Sequence, residues 1–468
     1  MSIANHNSGM TRRGFLQNSG IGFGGIALAS LMHQEATAKT LPTHFAPRAK
    51  HVIYLHMIGA PSQLDMFEPK PELVKRHNQP CPAEVTKDRD FAFIGKTSTL
   101  AGCPWKYSQH GECGHSFSEL LPHMAGVSDE IAMIHSIHTE EINHAPAQMF
   151  LHSGFGRGGR PSFGSWVSYG LGSENENLPG YIVLLSGPTG GAGTSLWSSG
   201  FLPSIHQGIQ FRSQGDPVLF LSNPKDHTNQ DRRHVLDAVA NLNRQHLSVT
   251  GDPEIETRIE QYEMAFRMQA SVPDLMNLEG ETKETLDLYG AQPGKASFAN
   301  NCLLARRLVE RGVRLIELYD ADWDHHNGLD KNLPLKCKQI DQPIAALIRD
   351  LKRRGLLDDT LIVWGSEFGR TPLRQGGNAK GNAVAGRDHH KDAFTMWLAG
   401  GGVKGGVSHG RTDDFGMDIV EDGVHVHDLN ATILHLLGID HERLTYRYQG
   451  REFRLTDVDG HLIRPILA

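Results

Sequence analysis

The stretch Leu361–Pro372, LIVWGSEFGRTP, decides the fold prediction. Its first four residues, Leu361–Trp364, form an apolar run that is too short for a helix and lies between Asp-Asp and Gly-Ser, so it predicts a buried strand. Polar residues follow at once, among them Glu367 and Arg370. We expect them just beyond the carboxyl end of the strand, where open α/β sheets bind their ligands.

The segment before this strand has the same organisation. Val313–Tyr319 predicts another strand, and the polar run from Asp320 to His326 follows it. Between the two strands, Leu335–Arg354 has apolar residues three and four positions apart and predicts an amphipathic helix. A right-handed crossover between parallel strands would place both polar segments at the same edge of a sheet.

Other apolar runs predict further elements of a layered fold. The additional predicted strands are Val52–Met57, Ile131–His135, Tyr181–Leu185 and Phe394–Leu398. The additional predicted helices are Phe117–Met124, Phe298–Arg311 and Asp428–Leu437. Together they predict an α/β fold with a mixed, mostly parallel sheet of about eight strands sandwiched by helices. The Pro- and Lys-rich segment from Glu68 to His115 is expected to run over the surface.

Two Asp-His-His runs supply most of the candidate metal ligands. Asp324–His326 follows one predicted strand, and Asp388–His390 lies in a predicted loop after the next. The candidate metal ligands are Asp65, Asp324, His326, Glu367, His389 and His390. Either run alone is compatible with ordinary loop residues, and Asp65 alone with an Asx-turn or a helix cap. Two runs at one sheet edge favour metal binding.

The mixture of carboxylates and imidazoles narrows the choice of metal. Such sets bind zinc, manganese or iron more readily than calcium, which prefers oxygen ligands throughout. We therefore expect a divalent metal, with zinc or manganese favoured over calcium. A metal of this kind polarises a phosphoryl or sulfuryl oxygen and lowers the pKa of a bound water or hydroxyl nucleophile.

Composition limits the classes of partner. The 468 residues carry a formal net charge of -7 without a basic block, which argues against nucleic acid as the main partner. Histidine is unusually frequent, at 27 residues, and several histidines lie beside carboxylates. The composition therefore favours a site built from imidazoles and carboxylates.

The amino terminus carries an export pattern. Thr11–Leu16 contains an Arg-Arg pair, the mildly apolar run Ile21–Met32 follows, and Ala36–Ala38 offers a small-residue cleavage site. The apolar run is too short to span a bilayer. We expect a twin-arginine signal over 1–38, one α/β domain with surface insertions over 39–468, no integral membrane span in the mature chain, and a location in the periplasm or cell envelope. A chance Arg-Arg pair before an apolar patch is the alternative.

Five cysteines are too few for a disulfide scaffold. Two of Cys81, Cys103 and Cys113, which share one Pro- and Gly-rich segment, can pair in an oxidising compartment, and free thiols are the alternative. Zinc binding by these three is disfavoured, because they form neither a CxxC motif nor a close Cys-His pair.

Several motifs together resemble a known family. They are GAPSQLDMFEPKP, SGFLPSIHQGIQF, WDHH, SEFGRTP, GRDHH and RLTDVDGHLI, spread over nearly all of the chain. On these motifs the chain is identified as a member of a group of exported bacterial proteins classed as a sulfatase-related domain of unknown function (DUF1501), within the alkaline phosphatase superfamily. The resemblance implies the alkaline phosphatase/sulfatase-like version of the α/β fold.

The resemblance to sulfatases also implies roles for two residues. In TLIVWGSEFGR, Glu367 falls on the metal-binding Asp of sulfatases. In HAPAQMFLHSG, His144 stands where sulfatases have the cysteine that becomes the formylglycine nucleophile, so the chain departs from the sulfatase pattern there. An imidazole at this position can be a metal ligand, a general base or a direct nucleophile, and we take His144 as the candidate catalytic residue.

Two functions remain open at this point. The first is an exported metal-dependent hydrolase of phosphate or sulfate esters, with an anionic ester as substrate and without a formylglycine. The second is a non-catalytic, sulfatase-like binding protein of the cell envelope, with a sulfated polysaccharide or a surface partner as ligand. A closed pocket with unpaired ligands favours the first, and an open groove lined by aromatic residues favours the second.

Overall fold

The computed structural model describes residues 42–468, apart from 88, 90, 96–97, 213–215, 219–220, 253 and 377–384. The predicted export signal, with its Arg-Arg pair and the run Ile21–Met32, lies outside the described residues. Within them, no helix combines the length and the apolar character needed to cross a membrane.

Strands and helices alternate along the described chain. The strands are β1 His51–Met57, β2 Tyr107–His110, β3 His115–Ser118, β4 Ile131–His138, β5 Tyr181–Ser186, β6 Ile209–Phe211, β7 Leu315–Asp320, β8 Thr360–Gly365, β9 Gly369–Gln375, β10 Gly386–His390, β11 Phe394–Ala399, β12 Ser408–His409, β13 Arg411–Thr412, β14 Ile419–Glu421, β15 Val424–His425, β16 Tyr446–Tyr448 and β17 Arg451–Phe453. The helices are α1 Gln63–Met66, α2 Pro71–Lys75, α3 Ala83–Thr86, α4 Pro122–Ala125, α5 His144–Ser153, α6 Phe163–Leu171, α7 Asn229–Thr250, α8 Glu254–Met276, α9 Lys283–Tyr289, α10 Phe298–Glu310, α11 Leu329–Arg353 and α12 Val426–Leu436. This alternation confirms the predicted α/β class.

Nine of the described strands form one mixed sheet, in the order β12, β4, β11, β8, β1, β7, β5, β6, with β15 also paired to β4. β11 runs antiparallel to β4 and β8, whereas the other paired strands of this sheet run parallel. Met57 of β1 is paired with Asp320 of β7, and His56 with Gly365 of β8. The carboxyl ends of β1, β7 and β8 therefore lie side by side.

The sheet lies between two helical layers, as its alternating side chains require. Ile53 and Leu55 of β1 pack in one core with α10 and α11, while Val52 and Tyr54 pack in another core with α6 and α12. Leu347 of α11 is fully buried, and burial of such a side chain stabilises the fold by about 1.5–3 kcal/mol. The predicted sandwich is confirmed.

Two predictions of local structure are wrong. Phe117–Met124 is not one helix, because it contains the end of β3 and the start of the short helix α4 at Pro122. Phe117 is drawn into a strand by pairing with Ser108 of β2. The GRDHH segment, predicted as a loop, is strand β10, because it pairs antiparallel with β9.

The segment from Glu68 to His115 does more than cross the surface. Its residues Leu73 and Leu100 pack against Leu373 in a small separate core. An internal apolar contact of this kind ties the segment to β9, close to the carboxyl edge of the main sheet. The insertion is therefore part of the surroundings of that edge.

All five cysteines are free thiols, so no disulfide joins Cys81, Cys103 and Cys113. Burial raises the pKa of the Cys81 thiol to about 11 and raises the pKa values of Cys103 and Cys113 as well. The three thiols are therefore protonated at neutral pH.

Candidate metal centre

Polar side chains from three segments meet at the carboxyl edge of the sheet. His144 begins α5, Asp324 and His326 follow β7, and His389 lies on β10. One ligand atom of each of these four residues lies within 4.8 Å of the others. We call these residues the His/Asp cluster.

Close backbone packing holds the cluster against the loop after β1. Gly59 has a φ of +108°, and a Cβ at this position would lie only 2.5 Å from the main-chain nitrogen of Asp324, so glycine is required here. The guanidinium of Arg370 joins the same two segments. It donates from Nε to the carbonyl oxygen of Ala60 at 2.8 Å and from Nη2 to Oδ1 of Asp324 at 2.6 Å.

The three imidazoles of the cluster have their Nδ1 atoms engaged by protein acceptors. The Nδ1-to-oxygen distances are 2.7 Å from His144 to Oε1 of Glu367, 2.7 Å from His389 to the carbonyl of Ile142, and 2.6 Å from His326 to Oε1 of Gln375. Because these oxygens only accept, each Nδ1 carries a hydrogen. In the neutral rings each Nε2 keeps its lone pair.

The three Nε2 atoms converge on Asp324. They lie 2.8 Å (His326), 3.5 Å (His389) and 3.2 Å (His144) from its carboxylate oxygens. The Nε2 atoms of His326 and His389 are 3.0 Å apart, a distance at which two lone pairs need a proton or a metal ion between them. Nε2 of His144 is buried without an aligned hydrogen-bond partner. This donor set fits a divalent transition metal.

The carboxylates of Asp324 and Glu367 make the site attractive to a cation. Burial lowers the pKa of His144, but Asp324 and Glu367 outweigh burial and raise that pKa to about 9. A proton and a metal ion compete for the same Nε2, so the raised pKa marks a position that favours positive charge. Burial opposes ionisation of Asp324, yet the three histidines and Arg370 hold its pKa far below the usual range.

Glu367 lies behind the His/Asp cluster rather than in it. Its carboxylate is fully buried and accepts hydrogen bonds from the main-chain N–H of Gly59, at 3.0 Å, and from Nε2 of Gln148, at 3.1 Å. Burial opposes its ionisation, but His144 and His56 hold the pKa of Glu367 well below its usual value. A carboxylate behind a metal-binding histidine orients the ring and makes it a stronger ligand.

Two other predicted ligands also lie outside the cluster. Asp65 forms a fully buried ion pair with Arg387, with two N-to-O distances of 2.7 and 3.0 Å. His390 is buried on β10, and its Nε2 lies 3.0 Å from the carbonyl oxygen of Met417. The structure thus brings together three of the six predicted ligands and the predicted catalytic residue, namely Asp324, His326, His389 and His144.

An aromatic residue at the rim of the cluster was missed by the sequence reasoning. Phe93 packs edge-on against the rings of His326 and His389, at centroid distances of 5.1 and 5.3 Å, and is 63% exposed. Asp388 holds it there by accepting from the main-chain N–H of Phe93 at 2.9 Å and of Ile94 at 3.2 Å. A phenylalanine in an irregular polar segment gives no sequence signal of such a position.

A family model described as "Protein of unknown function (DUF1501)" matches residues 49–467. The chain belongs to this family. The match extends over all the described strands and helices, so the His/Asp cluster of this DUF1501 protein lies inside the family domain. No curated protein matches the chain.

Solved structures similar to this DUF1501 protein include enzymes of several kinds. A sulfatase, PsFucS1 from Pseudoalteromonas sp., has 14% identity and a TM-score of 0.37, with coverage of 94% of this chain and 74% of that one. The lipoteichoic acid synthase LtaP from Listeria monocytogenes has 10% identity and a TM-score of 0.36, with coverage of 91% and 80%. An alkaline phosphatase from the Antarctic bacterium TAB5 has 11% identity and a TM-score of 0.31, with coverage of 83% and 98%. These values describe distant similarity.

Proposed function

We propose that the protein is a metal-dependent hydrolase of phosphate or sulfate esters. The observation that carries the proposal is the convergence of three imidazole Nε2 atoms on one carboxylate. The His/Asp cluster would hold a divalent metal, and its imidazole-rich composition favours zinc or manganese over calcium. When bound, the metal would polarise an ester oxygen and lower the pKa of a water molecule.

The surroundings of the cluster suit an anionic substrate. A single carboxylate among four ligands would leave a divalent ion with net positive charge. Arg370 is only 1% exposed and donates to main-chain carbonyls as well as to Asp324, so it adjusts the charge of the cluster and does not bind substrate itself. Asp324 is the most open ligand, with 42% of its side chain exposed, against 2% for His389. Substrate would therefore approach from the side of Asp324, beside Phe93.

His144 acts as a ligand in this proposal. Its Nδ1 hydrogen is held by Glu367, which leaves only Nε2 facing the cluster. Because the histidine replaces the cysteine of the sulfatase signature, the chain offers no formylglycine at this position. Water is then the nucleophile.

The test combines metal content with ester turnover in the purified protein. We would measure bound metals by mass spectrometry and assay 4-nitrophenyl phosphate, bis(4-nitrophenyl) phosphate and 4-nitrophenyl sulfate after loading with zinc or manganese. His389→Ala removes a ligand, whereas the matched control His390→Gln changes the adjacent histidine and keeps a donor for the carbonyl of Met417.

We expect about one equivalent of metal and turnover of at least one ester in the wild type and in His390→Gln, and neither property in His389→Ala. A wild type that takes up neither zinc nor manganese would overturn the proposal. Metal binding without turnover of any ester would instead support the non-catalytic binding protein.

We also propose that the protein works in the periplasm or cell envelope. The support is the Arg-Arg pair within Thr11–Leu16 and the apolar run Ile21–Met32 that follows it. Replacing both arginines, in the variant Arg12→Lys and Arg13→Lys, is expected to move the protein to the cytoplasmic fraction of the cells that make it. An unchanged distribution between fractions would contradict this location.

A further inference from the structure

A line of buried polar side chains leads from the His/Asp cluster into the centre of the sheet. We call it the interior chain, and its members, from the cluster inwards, are Glu367, His56, His152 and Glu317. Each is at most 1% exposed. Removing ionisable groups from water costs several kcal/mol for each ion that is not compensated, so packing alone gives no reason for four of them between apolar layers.

Hydrogen bonds give the interior chain a direction. Nε2 of His56 lies 3.2 Å from Oε2 of Glu367, and because an ionised carboxylate only accepts, this Nε2 carries a hydrogen. Nδ1 of the neutral His56 ring is then a lone pair, and it accepts the Nε2 hydrogen of His152 at 3.1 Å. Each ring therefore fixes the tautomer of the next, and every donor points towards the cluster.

Glu317 ends the interior chain inside the sheet. Its Oε2 accepts the hydroxyl hydrogens of Tyr181, at 2.6 Å, and Tyr319, at 2.7 Å. Its Oε1 lies 3.5 Å from Nδ1 of His152, and neither of these two buried atoms makes a hydrogen bond among the described residues. Glu317 therefore lies beside the ring of His152 as a buried, polar neighbour held in place by the two tyrosines.

We propose that the interior chain is a positioning device for His144. It locks the carboxylate of Glu367 in the orientation that takes the Nδ1 hydrogen of His144, and so directs Nε2 of that ring to the metal. The inference rests on the proposed metal centre and deepens it. His56 and His152 are positioning residues, since they act through Glu367. Mutating the hydrogen-bond partner of a metal-binding histidine weakens metal affinity by about 10–100-fold. His152 lies two hydrogen bonds beyond Glu367, so we expect its mutation to weaken affinity by about tenfold.

Two variants of His152 separate positioning from simple packing. His152→Leu keeps an apolar side chain of similar size but removes the donor to His56. His152→Gln keeps an N–H that can donate to Nδ1 of His56. Zinc affinity of the purified full chain is measured by competition with a chromogenic chelator, and thermal unfolding is followed on the same samples.

We expect zinc affinity about tenfold weaker in His152→Leu and nearly normal in His152→Gln. Glu317→Gln, which keeps an oxygen for the two tyrosine hydroxyls, replaces His152→Leu if that variant does not fold, and is expected to weaken zinc binding several-fold. Normal zinc affinity in a folded His152→Leu would overturn the positioning role and leave the metal centre standing. The same holds if His152→Leu and His152→Gln lose equal zinc affinity, in proportion to their loss of thermal stability. A wild type without zinc or manganese affinity would overturn both.

Discussion

The carboxylates of Asp65 and Asp324 lie at the same edge of the sheet, Asp65 beyond β1 and Asp324 beyond β7, but their surroundings differ. Asp65 is fully buried and faces the guanidinium of Arg387, which donates two hydrogen bonds and neutralises it. Asp324 is partly exposed and faces the Nε2 atoms of three histidines as well as the guanidinium of Arg370. The first carboxylate completes an internal pair, whereas the second is surrounded by atoms that can bind a cation. A structural carboxylate is thus distinguished from a metal-binding one by its neighbours, which either neutralise it or offer further atoms that can bind a cation.

The largest expected effect tests the structural side of this comparison. Asp65→Asn leaves Arg387 buried without its counter-charge and is expected to destabilise the fold by about 3–5 kcal/mol. Urea unfolding of the purified protein measures the change. Metal content per folded molecule should stay at the wild-type level, and its loss in the folded variant would place Asp65 among the ligands.

The next effect tests the ligand side. Asp324→Asn removes the only carboxylate of the His/Asp cluster and is expected to weaken metal binding at least about 100-fold, or roughly 2.7 kcal/mol, because three neutral imidazoles then attract the cation alone. Chelator competition measures the affinity. Unfolding of the metal-free protein should change less than in Asp65→Asn, because Asp324 is partly exposed and Arg370 keeps its hydrogen bonds to main-chain carbonyls. The opposite order of stabilities would contradict the difference between the two carboxylates.

A smaller loss of metal affinity is expected when Glu367, which lies behind His144, is changed. Glu367→Gln keeps an oxygen that can accept the Nδ1 hydrogen of His144 but removes the negative charge behind the ring. We expect about tenfold weaker metal binding, since the outer carboxylate only strengthens the ligand. The readout is the same competition titration. An affinity loss equal to that of Asp324→Asn would show that Glu367 itself binds the metal.

The smallest expected effect is a pH dependence of stability that arises from the buried His206, away from the His/Asp cluster. Burial lowers the pKa of His206 to about 4, below its ordinary value near 6.5. The unfolded state therefore binds more protons between these values, and the stability from neutral His206 is present above pH 6.5 and lost as pH falls towards 4. Lowering the pH from 7 to 6 should cost about 0.7 kcal/mol through this group.

The variant His206→Asn provides the control, because it does not titrate and can still bond to the hydroxyl of Ser168. The pH dependence of unfolding in the wild type should exceed that of His206→Asn by this amount. Parallel curves for the two proteins would show that His206 is not held neutral.

The central strands of the main sheet could be predicted from the sequence. The two-stranded pairs β9–β10 and β2–β3 could not. β1 and β8 are covered by helices on both faces, so they are continuous apolar runs such as Leu361–Trp364. β10 is the charged sequence GRDHH, and it becomes a strand only because it pairs with β9. Phe117 likewise joins β3 through the hairpin with β2, a contact that outweighs its local helical pattern.

The place of the site was also visible in the sequence, but its inner arrangement was not. Polar runs after two strands predicted that Asp324 and His326 lie near the GRDHH segment. The sequence gives no means to distinguish His389 from His390, because an irregularity in the pairing of β10 with β9, between Arg387 and His389, shifts the side-chain alternation. Two members of the interior chain interrupt apolar runs of the sequence, His56 within VIYLHM and Glu317 within LIELYD.

The most direct test of the metal centre is anomalous diffraction from crystals of the wild type grown with zinc or manganese, recorded on both sides of the metal absorption edge. We predict a peak within about 2–2.2 Å of Nε2 of His144, His326 and His389 and of one carboxylate oxygen of Asp324. A protein with no peak at this position, or with its peak beside Asp65 or His390 instead, would contradict it.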